Sequence, residues 1–307
     1  MTSLGFRSGL WLAALVALVA TAATPATAGE VTLTSTPAGI DIAIDGKPFS
    51  TFSTSKDFAK PFFLPVRAAD GTAVTRVLDN PEDHPHHKGI WFSLDEVNGL
   101  NFWAEKSRIE TQSVEIVKAK GSPAVFRYVA HWIGDDGQPL LEESTETRIF
   151  DNRTLSFTFE LKAVSKAVHF EDTKEGLFGI RLPNGMREKE TGKVVNADGL
   201  KTTKECWGKE SAWVDYYGEL GGKIYGVTLF DHPDNFRKSR YHVRDYGLFS
   251  VSPFGPNSYT NGKEAEAPVT LEPGQKLRLR YGLYVHNGTT EEGRVAEAFK
   301  AWLDGSR

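Results

Sequence analysis

The sequence predicts an all-β protein, a large twisted antiparallel β-sandwich with one C-terminal α-helix. Three observations carry that prediction. Apolar and polar residues alternate through most of the chain. The 29 glycines and 15 prolines fall largely between those runs. Helical periodicity appears convincingly once, near the C-terminus. Strands with one apolar face are what antiparallel sheets packed on one side require. Helix is expected in fewer than about a fifth of the residues, well under the usual share.

The first element is a leader. Arg7 supplies a short positive region, Leu10 to Ala20 form an apolar run, and Ala26-Thr27-Ala28 offers small residues for cleavage. This is the pattern of a secretory signal peptide over residues 1–28, cut after Ala28. The run is shorter than the roughly 20 residues of a membrane span; an uncleaved anchor is the alternative. Residues 29–307 are expected to form one β-sandwich domain, exported to the periplasm or the extracellular space, with no membrane partner.

The strands follow. Ile40, Ile42 and Ile44 alternate up to Asp45-Gly46, a hairpin-type turn. Val125–Ile133 and Leu140–Phe150 flank Gly134-Asp135-Asp136-Gly137 and read as an antiparallel hairpin. Leu155, Phe157, Phe159 and Leu161 repeat the alternation, as do Leu277, Leu279, Tyr281, Leu283 and Val285. The helix closes the chain: Val295, Ala298, Phe299, Trp302 and Leu303 share one face of a 3.6-residue period, with Thr289 and Glu292 spaced as a capping box.

Composition excludes some partners. Loss of the leader removes Arg7 and takes the formal net charge from −4 to −5, which gives no electrostatic case for nucleic acid. Cys206 is the only cysteine, so no intramolecular disulfide forms and stability must come from the core.

The alternation breaks in three blocks: Pro61–Glu105, Glu171–Arg181 and Trp213–Gly247. Polar and aromatic residues mix there, as in loops that carry function on a rigid sheet. The densest stretch is Asp83-His84-Pro85-His86-His87, with three of the eight histidines in four positions. Imidazoles work as acid, base or metal ligand near neutral pH. A lone surface histidine is usually just solvated; three beside a proline and two aromatics point to a pocket. The theme returns at Asp231-His232-Pro233-Asp234-Asn235, and His242 follows. His84 and His86, two apart, would share a face on a strand and chelate a divalent ion with His232 and a carboxylate. No HExxH or CxxC pattern supports that, so a metal is the alternative and no cofactor is expected; phosphate-loop and Rossmann glycine patterns are likewise absent.

The blocks TRVLDNPEDHPHHKGIWFSLDEVNGLNFW, KEGLFGIRLP and DHPDNFR…YHVRDYGLFSVSPF resemble exported bacterial proteins carrying the family label PmoA, methane oxygenase, over roughly Phe49 to Leu303. The resemblance implies a β-supersandwich akin to galactose mutarotase and to related domains of glycoside-cleaving enzymes. Particulate methane oxygenase subunits are membrane-embedded helical proteins, and no later run here reaches membrane-spanning length, so the label does not fix the reaction.

A mutarotase-like site implies a carbohydrate ligand and an acid and base around it. His84, His86, His87 and His232 are the acid candidates, and Glu175 or Asp172 is the base candidate. Arg76, Asn98, Arg181 and Asn235 would fork hydrogen bonds to hydroxyls, and His242 and Tyr246 complete the substrate-binding set. Trp103 is expected at the pocket rim; Trp91 fits core or pocket equally. Three functions compete: an exported glycosidase, lyase or epimerase; a sugar-binding module without turnover; and a metal-dependent oxygenase. Clustered titratable histidines favour the first.

Overall fold

A computed structural model describes residues 1–2, 29–78 and 83–305. The leader at 3–28 lies outside the described residues, as does the 79–82 segment of the histidine block.

The chain begins β1 (Val31–Thr36), β2 (Gly39–Ile44), β3 (Lys47–Ser53), β4 (Phe62–Phe63), β5 (Ile90–Leu94), β6 (Ile109–Lys118) and β7 (Lys120–Gly121). It continues β8 (Ala124–Ile133), β9 (Pro139–Ile149), β10 (Thr154–Ala163), β11 (Val168–Phe170), β12 (Gly176–Arg181), β13 (Lys193–Asn196) and α1 (Thr202–Cys206). It ends β14 (Trp213–Leu220), β15 (Lys223–Asp231), β16 (Arg240–Val243), β17 (Leu248–Ser252), α2 (Pro256–Thr260), β18 (Val269–Leu271), β19 (Lys276–Asn287) and α3 (Val295–Gly305). Among the described residues strand takes up 47% and helix 9%, within the expected limit on helix.

Two large antiparallel sheets face each other. One has the order β16-β17-β12-β5-β4-β3-β2-β1-β7, the other β13-β14-β15-β19-β10-β9-β8-β6; β11 and β18 form a small third sheet. Alternation sets the register. In β8 every second residue from Ala124 to Trp132 is buried, and β10 buries Leu155, Phe157, Phe159 and Leu161 opposite β19, where Phe159 pairs with Leu279. The inward faces interdigitate: Phe92 of the first sheet stacks on Phe159 of the second at 3.8 Å, and Phe63 meets Phe157 edge-on at 5.6 Å. Burial of such rings supplies most of the stabilisation in the absence of a disulfide.

The edge strand β6 is irregular. Gln112 and Val117 have no partner across the β6–β8 ladder, whose register shifts at both places. These are β-bulges.

The C-terminal helix lies on the outer face of the second sheet, where Val295 and Trp302 bury against Phe230. Thr289 and Glu292 exchange the hydrogen bonds of a capping box, Thr289 N to Glu292 Oε2 at 2.8 Å and Glu292 N to Thr289 Oγ1 at 3.3 Å. The box closes the turn that leads into α3. The five-residue α1 and α2 are additions that periodicity did not reveal.

Candidate active site

Four strands of the first sheet, β4, β5, β12 and β17, are buried along their whole length. Every residue of β5 and of β12 is buried, because the 83–88 turn and the chain around Trp103 cover their outer side. Ile90, Phe92 and Leu94 point into the core, while Trp91 belongs to an outer cluster with Phe62, Trp103 and Leu248. Trp91 pairs with Gly179, where an added Cβ would sit 3.0 Å from the indole. The missing side chain lets Trp91 lie along the sheet.

His87 stacks on Trp91 (5.2 Å between centroids, 12° between planes), His84 on His87 (4.8 Å, 10°) and Tyr246 on His84 (5.1 Å, 12°). His86 stands edge-on to His87 at 4.4 Å. The 83–88 segment is a turn with His84 at φ +50°. It is not the strand that would align His84 with His86 for chelation.

Asp83 ties the column together. Its Oδ1 lies 2.5 Å from His84 Nδ1, and its Oδ2 accepts from Arg181 Nη2 at 2.6 Å and Arg76 Nη1 at 3.1 Å. Arg76 also donates to the carbonyls of Asp83 and His84 at 2.6 and 2.8 Å. Burial works to raise the Asp83 carboxyl, but the His84 bond and the charges of Arg181 and Arg76 outweigh it and hold it below the ordinary value.

Arg181 is fully buried. Its Nη1 lies 3.0 Å from His87 Nδ1. Guanidinium only donates, so His87 Nδ1 is an acceptor and the ring proton sits on Nε2. Burial, then His86 and Arg181, push His87 far below an ordinary imidazole. Burial and the Arg181 bond favour the neutral ring. His86 is held at about 4 by burial and by Lys60 and His84. Burial, followed by Arg76, lowers Arg181 to about 10.

A second charged group flanks His86. Lys60, 2% exposed, donates to Trp103 O at 3.1 Å and pairs with Glu105 Oε1 at 3.2 Å. Lys88 bonds the other oxygen of Glu105 and the Pro85 carbonyl, the latter at 2.9 Å. Burial lowers Lys60 to about 8, with Glu105 opposing.

Glu175 adjoins the column. Burial raises its carboxyl, and His84, Arg244, Lys174 and Asp95 all act on it. Its Oε2 comes within 3.9 Å of His242 Nδ1. That nitrogen instead donates to the Lys174 carbonyl at 3.0 Å, and burial lowers His242 to about 4. The contact is therefore one between a carboxyl and a neutral ring, not an ion pair.

Arg76, His84, His86, His87, Trp103, Arg181 and Tyr246 thus meet in one cluster, with Glu175 and His242 beside it. The rest lie elsewhere. His232 packs edge-on against Trp302 of α3 at 5.4 Å, on the outer face of the second sheet, so it does not join the other histidines. Asn235 locks the β15–β19 corner, bonding Asp231 and both the carbonyl and the amide of Arg280. Asn98 bridges to Ala167 O and His169 N. Asp172 spends both oxygens on the amides of Asn257 and Ser258 at the start of α2. Trp103 is 3% exposed between Trp91 and His87; it is wall, not rim, and offers no open face to a ring.

Asp83, Lys60, Lys88 and Glu105 escaped selection from the sequence. Asp83 had a signal in its place next to His84; Lys60 had none. A groove of about 370 Å³ lies on the second sheet among Ser113, Arg127, Glu146, Glu160 and Arg278 and contains no candidate residue. Chemistry, not concavity, singles out the histidine cluster. Among the described residues no three His, Cys, Asp or Glu side chains are grouped to hold a metal ion.

Solved structures with similar chain paths include galactose 1-epimerase from Lactobacillus acidophilus NCFM, at 8% identity and TM-score 0.42, covering 85% of this chain and 98% of that one. The GH36 α-galactosidase AgaA from Geobacillus stearothermophilus has 8% identity and TM-score 0.43, with 86% of this chain and 41% of that one covered. A β-arabinopyranosidase has 13% identity and TM-score 0.37, with 85% and 39% covered. The chain thus spans about two fifths of either glycosidase. No curated protein matches by sequence. The methane-oxygenase label suggested by the histidine block finds no support: the model that matches, over residues 39–300, is another. The chain belongs to the Family of unknown function (DUF6807).

Proposed function

We propose that this is an exported carbohydrate-active enzyme, a glycosidase, lyase or epimerase, that works by acid–base chemistry between His84 and Glu175. The observation that carries this reading is the Asp83–His84 pair. Asp83, anchored by two arginines, accepts the Nδ1 proton of His84. That leaves Nε2 as the basic nitrogen of a half-exposed ring, and Asp83 stabilises the imidazolium once Nε2 takes a proton. Glu175, raised by burial, is suited to return a proton. The polarity is the reverse of the sequence expectation, in which a histidine donated and Glu175 accepted. Support for a sugar comes from the polar side chains of the cluster: His84, His86, Glu175 and Arg244 supply donors and acceptors for several hydroxyls.

The test is turnover of a panel of glycosides, reducing sugars and oxidised (keto) glycosides by the pure protein. His84→Ala and Glu175→Gln should each lower turnover by roughly 10²–10⁴-fold with the fold intact by circular dichroism. One observation favours a binding module instead, the open groove on the second sheet where Arg127, Glu146, Glu160 and Arg278 stand around an apolar floor. In that case no substrate is converted, and Arg127→Ala, not His84→Ala, weakens sugar binding.

A further inference from the structure

A buried polar knot fastens the start of the C-terminal helix to the second sheet. Asp215 of β14 is fully buried. Its Oδ1 accepts from Thr228 Oγ1 at 2.9 Å and lies 3.0 Å from His286 Nε2, while its Oδ2 accepts from Thr290 Oγ1 at 2.7 Å. The second ring nitrogen of His286, Nδ1, lies 3.3 Å from the carbonyl oxygen of Asn287. A carboxylate and a carbonyl both accept. A neutral imidazole carries one N–H and satisfies one of them; only the imidazolium satisfies both.

The ring is also held in place. An added Cβ at Gly226 or at Gly293 would come within 2.2 Å of it, so the two glycines form close walls, and Tyr284 stacks on it at 5.3 Å. Gly293 and Thr290 belong to the turn that delivers α3.

We infer that His286 is a protonation-dependent clamp: as imidazolium it bridges Asp215 and the Asn287 carbonyl and fixes the 288–294 turn from which α3 emerges. Loss of the proton breaks one of the two bonds and strands the Asp215 carboxylate without a cation, a costly state in a buried setting. The titratable groups against it are Asp215 on β14 and Tyr284 on its own strand; beyond them, Asp215, Glu291 and Glu292 act on Tyr217, and Asp215 and Arg294 on Tyr284, while β15 presents Gly226 to the ring and Thr228 to Asp215. Burial opposes the proton, but Asp215, by charge and by hydrogen bond, outweighs it and raises His286 above 6.5. Clamp stability is therefore fully present below pH 6.5 and is lost as the pH rises through the raised folded value.

The experiment is a ring-nitrogen NMR titration of the full chain labelled at histidine, paired with amide exchange across residues 288–305. His286 should hold both ring protons at pH 6.5 and deprotonate above an ordinary histidine, the direction in which Asp215 pushes it. Exchange in 288–305, normalised to the core strands, should rise at that same midpoint. Asp215→Asn should lower the midpoint; the wild-type titration needs no variant and decides the matter if that one fails to fold. A His286 that is neutral at pH 6.5, or a helix whose exchange ignores its deprotonation, overturns the clamp.

Discussion

Arg181 decides what the histidines beside it can do. It reaches His87 across 94 residues of sequence and fixes that ring as a neutral Nε2–H donor, while sharing Asp83 with His84. Replacing it by methionine keeps much of the volume but removes the donor to His87 and one of the two arginines on Asp83. Arg181→Met should therefore cost about 3–5 kcal/mol of unfolding free energy, measurable by urea denaturation; a loss below about 1 kcal/mol would show that the cluster does not depend on this residue. The histidine block stood out in the sequence because its members are neighbours. Their division of labour did not, since Arg76, Arg181 and Lys60 arrive from elsewhere in the chain. His232 misled for the same reason in reverse. Its Asp-His-Pro context repeats the first block, but β15–β19 pairing and the helix decide where it goes.

Among elements, legibility followed one-sided burial. The Val125–Ile133 and Leu140–Phe150 hairpin, β10, β19 and the C-terminal helix were all readable, because each buries one face and exposes the other. β5 and β12 are covered on both sides and lost the alternation, and that loss marked the candidate site. The short α1 and α2 span five residues each, too few for a helical period to register. The terminal helix owes its seat to Trp302, whose Nε1 also donates to Ser156 Oγ at 2.9 Å. Trp302→Ala should destabilise the protein by about 3–5 kcal/mol and expose Phe230 and His232. Scanning calorimetry with dye binding checks both effects, and an unchanged melting temperature would mean that the helix contributes little.

For the whole molecule, pH is the informative variable. His86 and His242 ordinarily titrate near 6.5 and are held at about 4 in the fold, with burial the leading cause in both. Between those values the unfolded chain binds protons that the folded one excludes, so stability falls as the pH drops from 6.5 to 4. Each buried imidazole contributes at most about 1.4 kcal/mol per pH unit there, and His86 less, because solvent reaches it. Melting temperature should decline steadily across this window; a flat profile would contradict the buried neutral histidines.

The bulges at Gln112 and Val117 have a consequence beyond the single molecule. β6 is a ten-residue outermost strand, long enough to template a strand from a neighbouring copy and seed linear polymers. Two extra residues put its free amides and carbonyls out of step with any regular strand, and Glu110, Glu115 and Lys118 add charge along it. Growth of the sheet from molecule to molecule stops at that border, so the irregularity acts as a terminator of polymerisation written into the backbone.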